Sequence, residues 1–289
     1  MLCSKLDWFE VLKWKLESIG KKPRHGSDLF VRHFEGVDGK KDYILWLGHA
    51  SFYIRIKGKG ILLDPVFGDI PFHRRLIPMP CDTGALDVDL ILISHGHFDH
   101  LDTASLKLFD APVIAPKGLG RYIKNKDVTE LEWEEEHSFE DIKITSLWAK
   151  HWHQRGLFDK NRALWCSFLI EDIFFAGDSA YSTHFKRIGA GYDVKTALLP
   201  IGAYEPRKIM RENHLNPDEA YRAFLDLEAS MFIPYHYGTF ILSDEPVEEP
   251  LMRIEEIARR DGRIRILSPG SALIFQDSAV GRVGDESFH

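Results

Sequence analysis

Residues 94–102 read SHGHFDHLD and come directly after the apolar run Leu90-Ile91-Leu92-Ile93, which has the character of a buried strand. Three histidines and two carboxylates in nine residues at a strand end point to a bound ligand, because a solvated loop tends to carry such groups singly. His95 and His97 stand two apart, so an extended backbone aims both to one side. Asp99 and His100 come next, and a turn there can aim them at a second point. The loop thus offers two imidazoles to one ion, and a carboxylate with an imidazole to another. Borderline divalent cations such as zinc accept this nitrogen and oxygen set, and each needs further ligands.

Other strand ends can supply them. Lys150-His151-Trp152-His153 comes after the predicted strand Ile142–Leu147, Asp178 closes FFAGDS after Ile173–Ala176, and His236 closes FIPYH after Met231–Pro234. Taken alone, Asp178 reads as a turn residue and His236 as a packed histidine; together with the first loop they complete a two-ion ligand count. Further strands are expected at YILWLG, SFYIRIKG and GILLD between residues 43 and 64, and at Pro112–Ala115, Cys166–Ile170, Thr196–Leu199, Ile264–Leu267 and Ala272–Phe275. SFYIRI alternates Phe52, Ile54 and Ile56 with Tyr53 and Arg55, the period of a half-buried antiparallel strand. Helices are expected after Asp102, which can cap TASLKLF, after Asn216-Pro217-Asp218-Glu219, and over about Glu249–Arg260. The Glu132–Glu136 cluster reads as a solvated edge.

Composition narrows the class. With 289 residues, 44% of them hydrophobic, the chain can bury a sizeable core, and no Pro/Gly/Ser linker divides it. We expect a helical segment over 1–30 and a single domain over 31–289. A net charge of −7 argues against a sequence-independent nucleic-acid binder. Cys3, Cys81 and Cys166 form no CxxC pair, which speaks against a disulfide framework or a thiolate zinc site. The start, MLCSKLDWFEVLKWKLE, is too charged for a signal peptide or a membrane span. The expected location is cytoplasmic. Trp8, Phe9, Leu12 and Trp14 beside Lys5, Lys13 and Lys15 also fit a helix lying on the inner face of the membrane, although docking on the protein's own core is the commoner outcome.

Through SHGHFDH, His151, AGDS and YHYG the chain resembles the metallo-β-lactamase fold superfamily. That resemblance implies an α/β four-layer αβ/βα sandwich with two metal ions at one edge of its sheets. It assigns His95, His97 and His151 to one ion, Asp99, His100 and His236 to the other, and Asp178 as the bridge. His151 is preferred to His153 because it matches the family's HW pair. WLGHASFYI, LLDPVF, ISHGHFDHLD, HWHQR, FFAGDS, PIGAYEPR, HLNPDEA and HYGTF, in that order over residues 43–242, are similar to the N-acylphosphatidylethanolamine-hydrolysing phospholipase D branch. The ascorbate 6-phosphate lactonase branch shares the DHLD variant and is the alternative.

The implied chemistry is hydrolysis of a phospholipid or small phosphodiester by a hydroxide shared between two divalent ions, zinc first and manganese or iron next. Bound metal can bring the pKa of water from 15.7 to roughly 7. Asp99 and Asp178 would hold the pair, and no GxSxG elbow offers a competing nucleophile. His214 is the candidate for leaving-group help, as a non-ligand matching the histidine of the HxxPxEA stretch. Tyr204 and Arg207 in GAYEPR are candidates for a phosphate oxygen, and Arg74, with Arg75, for an anionic head group. His49 and Asp64 are expected to buttress ligand histidines. A non-catalytic scaffold is disfavoured by the complete ligand set.

Overall fold

The computed structural model describes residues 29–37 and 41–275. All but the last two residues of the expected helical segment 1–30 lie outside them. Two mixed sheets face one another. The first has seven strands in the order β13-β1-β2-β3-β4-β5-β6, formed by β1 (Tyr43–Gly48), β2 (Ser51–Ile56), β3 (Lys59–Leu63), β4 (Leu90–Leu92), β5 (Val113–Pro116), β6 (Val128–Leu131) and β13 (Ala272–Ile274). The second runs β12-β11-β10-β9-β8-β7, from β7 (Glu136–Phe139), β8 (Ile142–Leu147), β9 (Ser167–Ile170), β10 (Ile173–Phe175), β11 (Thr196–Pro200) and β12 (Met231–Tyr235).

The period of two sets the layers. In β1, Ile44 and Trp46 enter the central core between the sheets, whereas Tyr43, Leu45 and Leu47 enter a second cluster on the outer face. That outer cluster is closed by Leu101, by Leu106 of α1 (Thr103–Leu106) and by Phe109. On the far side, α2 (His184–Gly191), α4 (Pro217–Asp226) and α5 (Glu249–Ala258) bring Phe185, Phe224 and Ile254 onto the second sheet. The helix–sheet–sheet–helix layering agrees with the expected sandwich. Local signals set the helix starts: Asp102 accepts from the amides of Ala104 and Ser105, and Asn216 forms a reciprocal capping box with Glu219.

Three expectations change. SFYIRI is antiparallel as expected, but both its faces are buried, since Tyr53 packs in the outer cluster. Ile264–Leu267 makes a single bridge, Ile264 to Phe232, instead of a strand. The acidic cluster is indeed exposed, but it joins two edge strands, β6 and β7, that the sequence does not announce; β7 is only half-buried on one face, where Phe139 is its one apolar side chain against the core, too little alternation to read.

Strand direction decides where chemistry collects. β1, β3, β4 and β5 run the same way in the first sheet, as do β8, β10, β11 and β12 in the second. His49, Asp64, the 94–102 loop, His151, Asp178 and His236 all lie just beyond the ends of such strands, and their side chains meet at one edge.

Candidate metal centre

Ser94 begins the loop by donating its amide to Asp64 Oδ1 at 2.7 Å. The amides of His100 and Leu101 then close on the carbonyl of His97, a turn that aims His95 and His97 one way and Asp99 and His100 another. His97 Nδ1 lies 2.9 Å from His95 Nε2 and 3.2 Å from His151 Nε2. One ring proton cannot satisfy three converging nitrogens. Tetrahedral zinc at Zn–N distances of about 2.0–2.1 Å would need its nitrogens about 3.3 Å apart, close to this spacing.

A second set lies beside the first. Asp99 Oδ2 is 3.7 Å from His100 Nε2 and 3.6 Å from His236 Nε2. Asp178 reaches both sets. Its Oδ1 is 3.3 Å from His100 Nε2 and 3.1 Å from His236 Nε2; its Oδ2 is 3.8 Å from His95 Nε2 and 3.7 Å from His151 Nε2. Buried polar atoms without a hydrogen-bond partner include Nε2 of His100 and of His236, Oδ1 of Asp178 and Nδ1 of His214. Leaving such atoms unpaired is costly unless something binds them. The donor set therefore fits two divalent cations.

The rings are held from behind. His100 Nδ1 lies 2.7 Å from Asp64 Oδ2, His151 Nδ1 3.0 Å from the carbonyl of Asn213, and His95 Nδ1 3.0 Å from Ser94 Oγ, whose own proton goes to Asp64. In each case a proton on Nδ1 leaves the Nε2 lone pair facing inward. His49 donates through Nε2 to Asp99 Oδ2 at 3.0 Å, and its amide is fixed by Thr239 Oγ1 at 2.7 Å. His49, Asp64 and His236 have φ of 51°, 38° and 68°, a left-handed backbone that non-glycine residues seldom adopt and that concentrates at functional sites.

Burial holds His95 and His151 well below the ordinary histidine range and brings His97 to about 4. Burial also opposes charge on His100 and His236, but Asp178 and then Asp99 outweigh it, raising His100 well above its usual value and His236 to about 9. Asp99 and Asp178 likewise overcome burial: the surrounding histidines, His100 foremost, hold both carboxyls well below the usual range. Cations bound at the His100 and His236 nitrogens would take the place of any proton held there.

The expected ligands His95, His97, Asp99, His100, His151, Asp178 and His236 are all brought together. His153 is not: it is fully buried beside Tyr122 and belongs to neither cluster. His214 sits at the border, its Nδ1 3.8 Å from Asp178 Oδ2 and its ring 5.3 Å from that of His151. Burial lowers its pKa to about 4. The candidate substrate residues are placed differently. The Tyr204 phenol donates to Glu249 at 2.7 Å. Arg207, which begins the short helix α3 (Arg207–Met210), donates to Glu219 at 2.6 Å and to the His214 carbonyl at 3.4 Å. As they stand, Arg207 braces the segment that carries His214, and Tyr204 ties its own loop to the start of α5. Arg74 is exposed on the loop after β3. Arg75 is no head-group contact, because its guanidinium donates to the carbonyls of Leu47, Val66 and Ile77. Sequence reading missed the roles of Ser94, Thr239 and the Asn213 carbonyl; of these, only Ser94, at the head of the motif, carried a local signal.

Residues 59–237 match the beta-lactamase superfamily domain. The chain is 38% identical over 247 residues to the mitochondrial N-acyl-phosphatidylethanolamine-hydrolyzing phospholipase D of Saccharomyces cerevisiae, an alignment covering 76% of this chain and 52% of that protein. It spans about half the length of that relative. It is 30% identical to a metal-dependent hydrolase of Methanopyrus kandleri, over 79% of this chain and 98% of that one. The solved metallo hydrolase Igni18 of Ignicoccus hospitalis shares the fold, with a TM-score of 0.63 at 20% identity over 82% of this chain and 99% of that one. A nitrogen and carboxylate centre at the joint edge of two sheets and these relatives lead to one conclusion: the chain belongs to the beta-lactamase superfamily.

Proposed function

We propose that the protein is a phosphodiesterase of phospholipase D type, hydrolysing N-acylphosphatidylethanolamine-like diesters. Under this reading His95, His97 and His151 hold one divalent ion, Asp99, His100 and His236 the other, and Asp178 both, with zinc the best match to so nitrogen-rich a set. When bound, such ions supply a water nucleophile at neutral pH and neutralise charge growing on a phosphoryl oxygen. The chain's own residues do the rest. Asp64 and Asn213 keep ring protons outward, and His49 fixes one oxygen of Asp99. His214, a neutral ring with its pKa brought to about 4, is the group left to donate its ring N–H to a phosphoryl oxygen, while the departing alcohol oxygen takes its proton from the water consumed as the P–O bond breaks.

The observation that carries the assignment of His214 is its partnerless Nδ1 beside Asp178. The similarity to the yeast phospholipase supports the substrate class. The test is turnover of N-acylphosphatidylethanolamine by metal-loaded protein in ¹⁸O-water, with products read by mass spectrometry. We expect ¹⁸O in the phosphatidic acid and none in the N-acylethanolamine, because a phospholipase D breaks the distal P–O bond. Hydrolysis of a phosphorylated sugar lactone without diester cleavage would select the lactonase alternative. His214→Ala should keep its metal while kcat/KM falls about tenfold to a thousandfold, the range for a lost proton donor or charge-stabilising group; loss of metal would make His214 a ligand instead.

A further inference from the structure

Beside the metal centre the chain makes a closed turn from His153 to Asn161 whose tip carries Leu157 and Phe158, 86% and 84% exposed. The turn is built, not slack. The amide of His153 donates to Asn161 Oδ1 at 3.0 Å, and the Asn161 amide returns to the His153 carbonyl at 2.7 Å. Asp159 sits inside, accepting from the amides of Arg155 and Gly156 and from the Tyr122 hydroxyl at 2.6 Å. So many internal bonds hold two large apolar side chains in water.

The base of the turn is basic and touches the site. Arg155 lies over the Phe98 ring at 4.3 Å and donates to the Gly96 carbonyl, inside the HGHFDH motif. Lys160 lies over Trp152 at 5.3 Å, and Trp152 packs 4.7 Å from His97. With the exposed Arg162, these cations form no ion pair among the described residues, although the whole chain carries a net charge of −7. The one acid of the turn points inward. The loop after β3, which leaves the first sheet at the same edge, carries Phe72, also fully exposed.

We propose that this turn, with Phe98 at its base, is the wedge by which the protein docks on a phospholipid surface, Leu157 and Phe158 entering the acyl region and Arg155, Lys160 and Arg162 meeting lipid phosphates. The inference rests on the phospholipid reading of the site. A two-residue apolar tip above a ring of cations suits a lipid boundary; a stable protein interface buries on the order of 800 Å² per side, far more than a narrow two-residue tip presents. Seated this way, the wedge would hold the metal centre at the level of the head groups, where the diester lies.

The test uses the full, metal-loaded chain and vesicles of phosphatidylethanolamine with phosphatidylglycerol. Leu157→Ser/Phe158→Ser should weaken co-sedimentation at least about tenfold, given the transfer free energy of two large apolar side chains. Metal content and hydrolysis of soluble bis(p-nitrophenyl) phosphate should stay at the wild-type level. In Phe158→Trp, brominated acyl chains should quench the emission of the added indole, a readout that needs no destabilising change. Unchanged sedimentation, or indole emission in Phe158→Trp that the vesicles leave untouched, overturns the wedge. A change in oligomeric state without any change in vesicle binding overturns it in favour of a protein contact. If wild type binds vesicles through this turn yet cleaves no phospholipid diester, the substrate reading falls while the docking surface stands.

Discussion

Gly96 separates His95 from His97, and replacing it with alanine would test how tightly the centre is packed. A Cβ built there lies 2.2 Å from His153 Cε1, 2.5 Å from its Nδ1 and 2.8 Å from Leu119 Cδ1. Ordinary contact begins near 3.4 Å, so the ring would have to retreat by about 1.2 Å. It has no room: His153 is fully buried beside Tyr122, and its backbone is tied on both sides to Asn161. The strain must therefore reach the Gly96 backbone and the ligands flanking it. Overpacking of this kind costs about 1–3 kcal/mol, offset by roughly 0.4–1 kcal/mol from a stiffer unfolded chain. A net loss of about 1–2 kcal/mol should lower Tm by about 2–8 °C for a chain of this size. Calorimetry of the metal-loaded protein, with metal analysis after dialysis against a weak chelator, reads both effects. His153→Ala in the same background removes the obstacle. Both ring nitrogens of His153 lack partners, so its loss breaks no hydrogen bond, and the pair should couple by about 0.5–3 kcal/mol. Strict additivity, or a Gly96→Ala protein with wild-type Tm and metal content, would refute the steric argument.

Asp178→Asn should deplete both ions and turnover together, since the carboxylate faces both histidine sets; elemental analysis showing one ion lost and the other kept at full occupancy would disprove the bridge. His151→Ala should cost metal where His153→Ala does not, and the reverse result on the same analysis would transfer the ligand role. Asp64→Asn sets an amide against the three donors that meet Asp64, and competition with a chelator should show metal affinity down by about tenfold to a hundredfold. Equal affinity for wild type and variant would mean that Asp64 does not orient His100.

The centre was readable to the extent that its ligands are local or sit at strand ends. SHGHFDH lies within one loop, and a strand carries the residue just beyond its end to the rim of a sheet, so Asp178 and His236 could be placed beside that loop without coordinates. Choosing His151 over His153 needed the family pattern, because both lie two residues apart on one segment and equal spacing cannot say which ring turns inward. Tyr204 and Arg207 show the opposite limit. Their chemistry suits a phosphate, yet which partner a phenol or a guanidinium meets depends on Glu249 and Glu219, delivered by other helices.

From the sequence alone came most of the strand-and-helix succession and the identity of the ligand-bearing loops, because each is written in contacts between near neighbours. Tertiary structure alone decided the pairing order of the two sheets, the edge strand β7 with a single apolar contact, and the ties of Asp64 to His100 and Asn213 to His151 across 36 and 62 residues. It also decided that Leu157 and Phe158 stand in water. Hydrophobicity ordinarily sends such residues inward, and only the turn pinned by Asp159 and Asn161 holds them out.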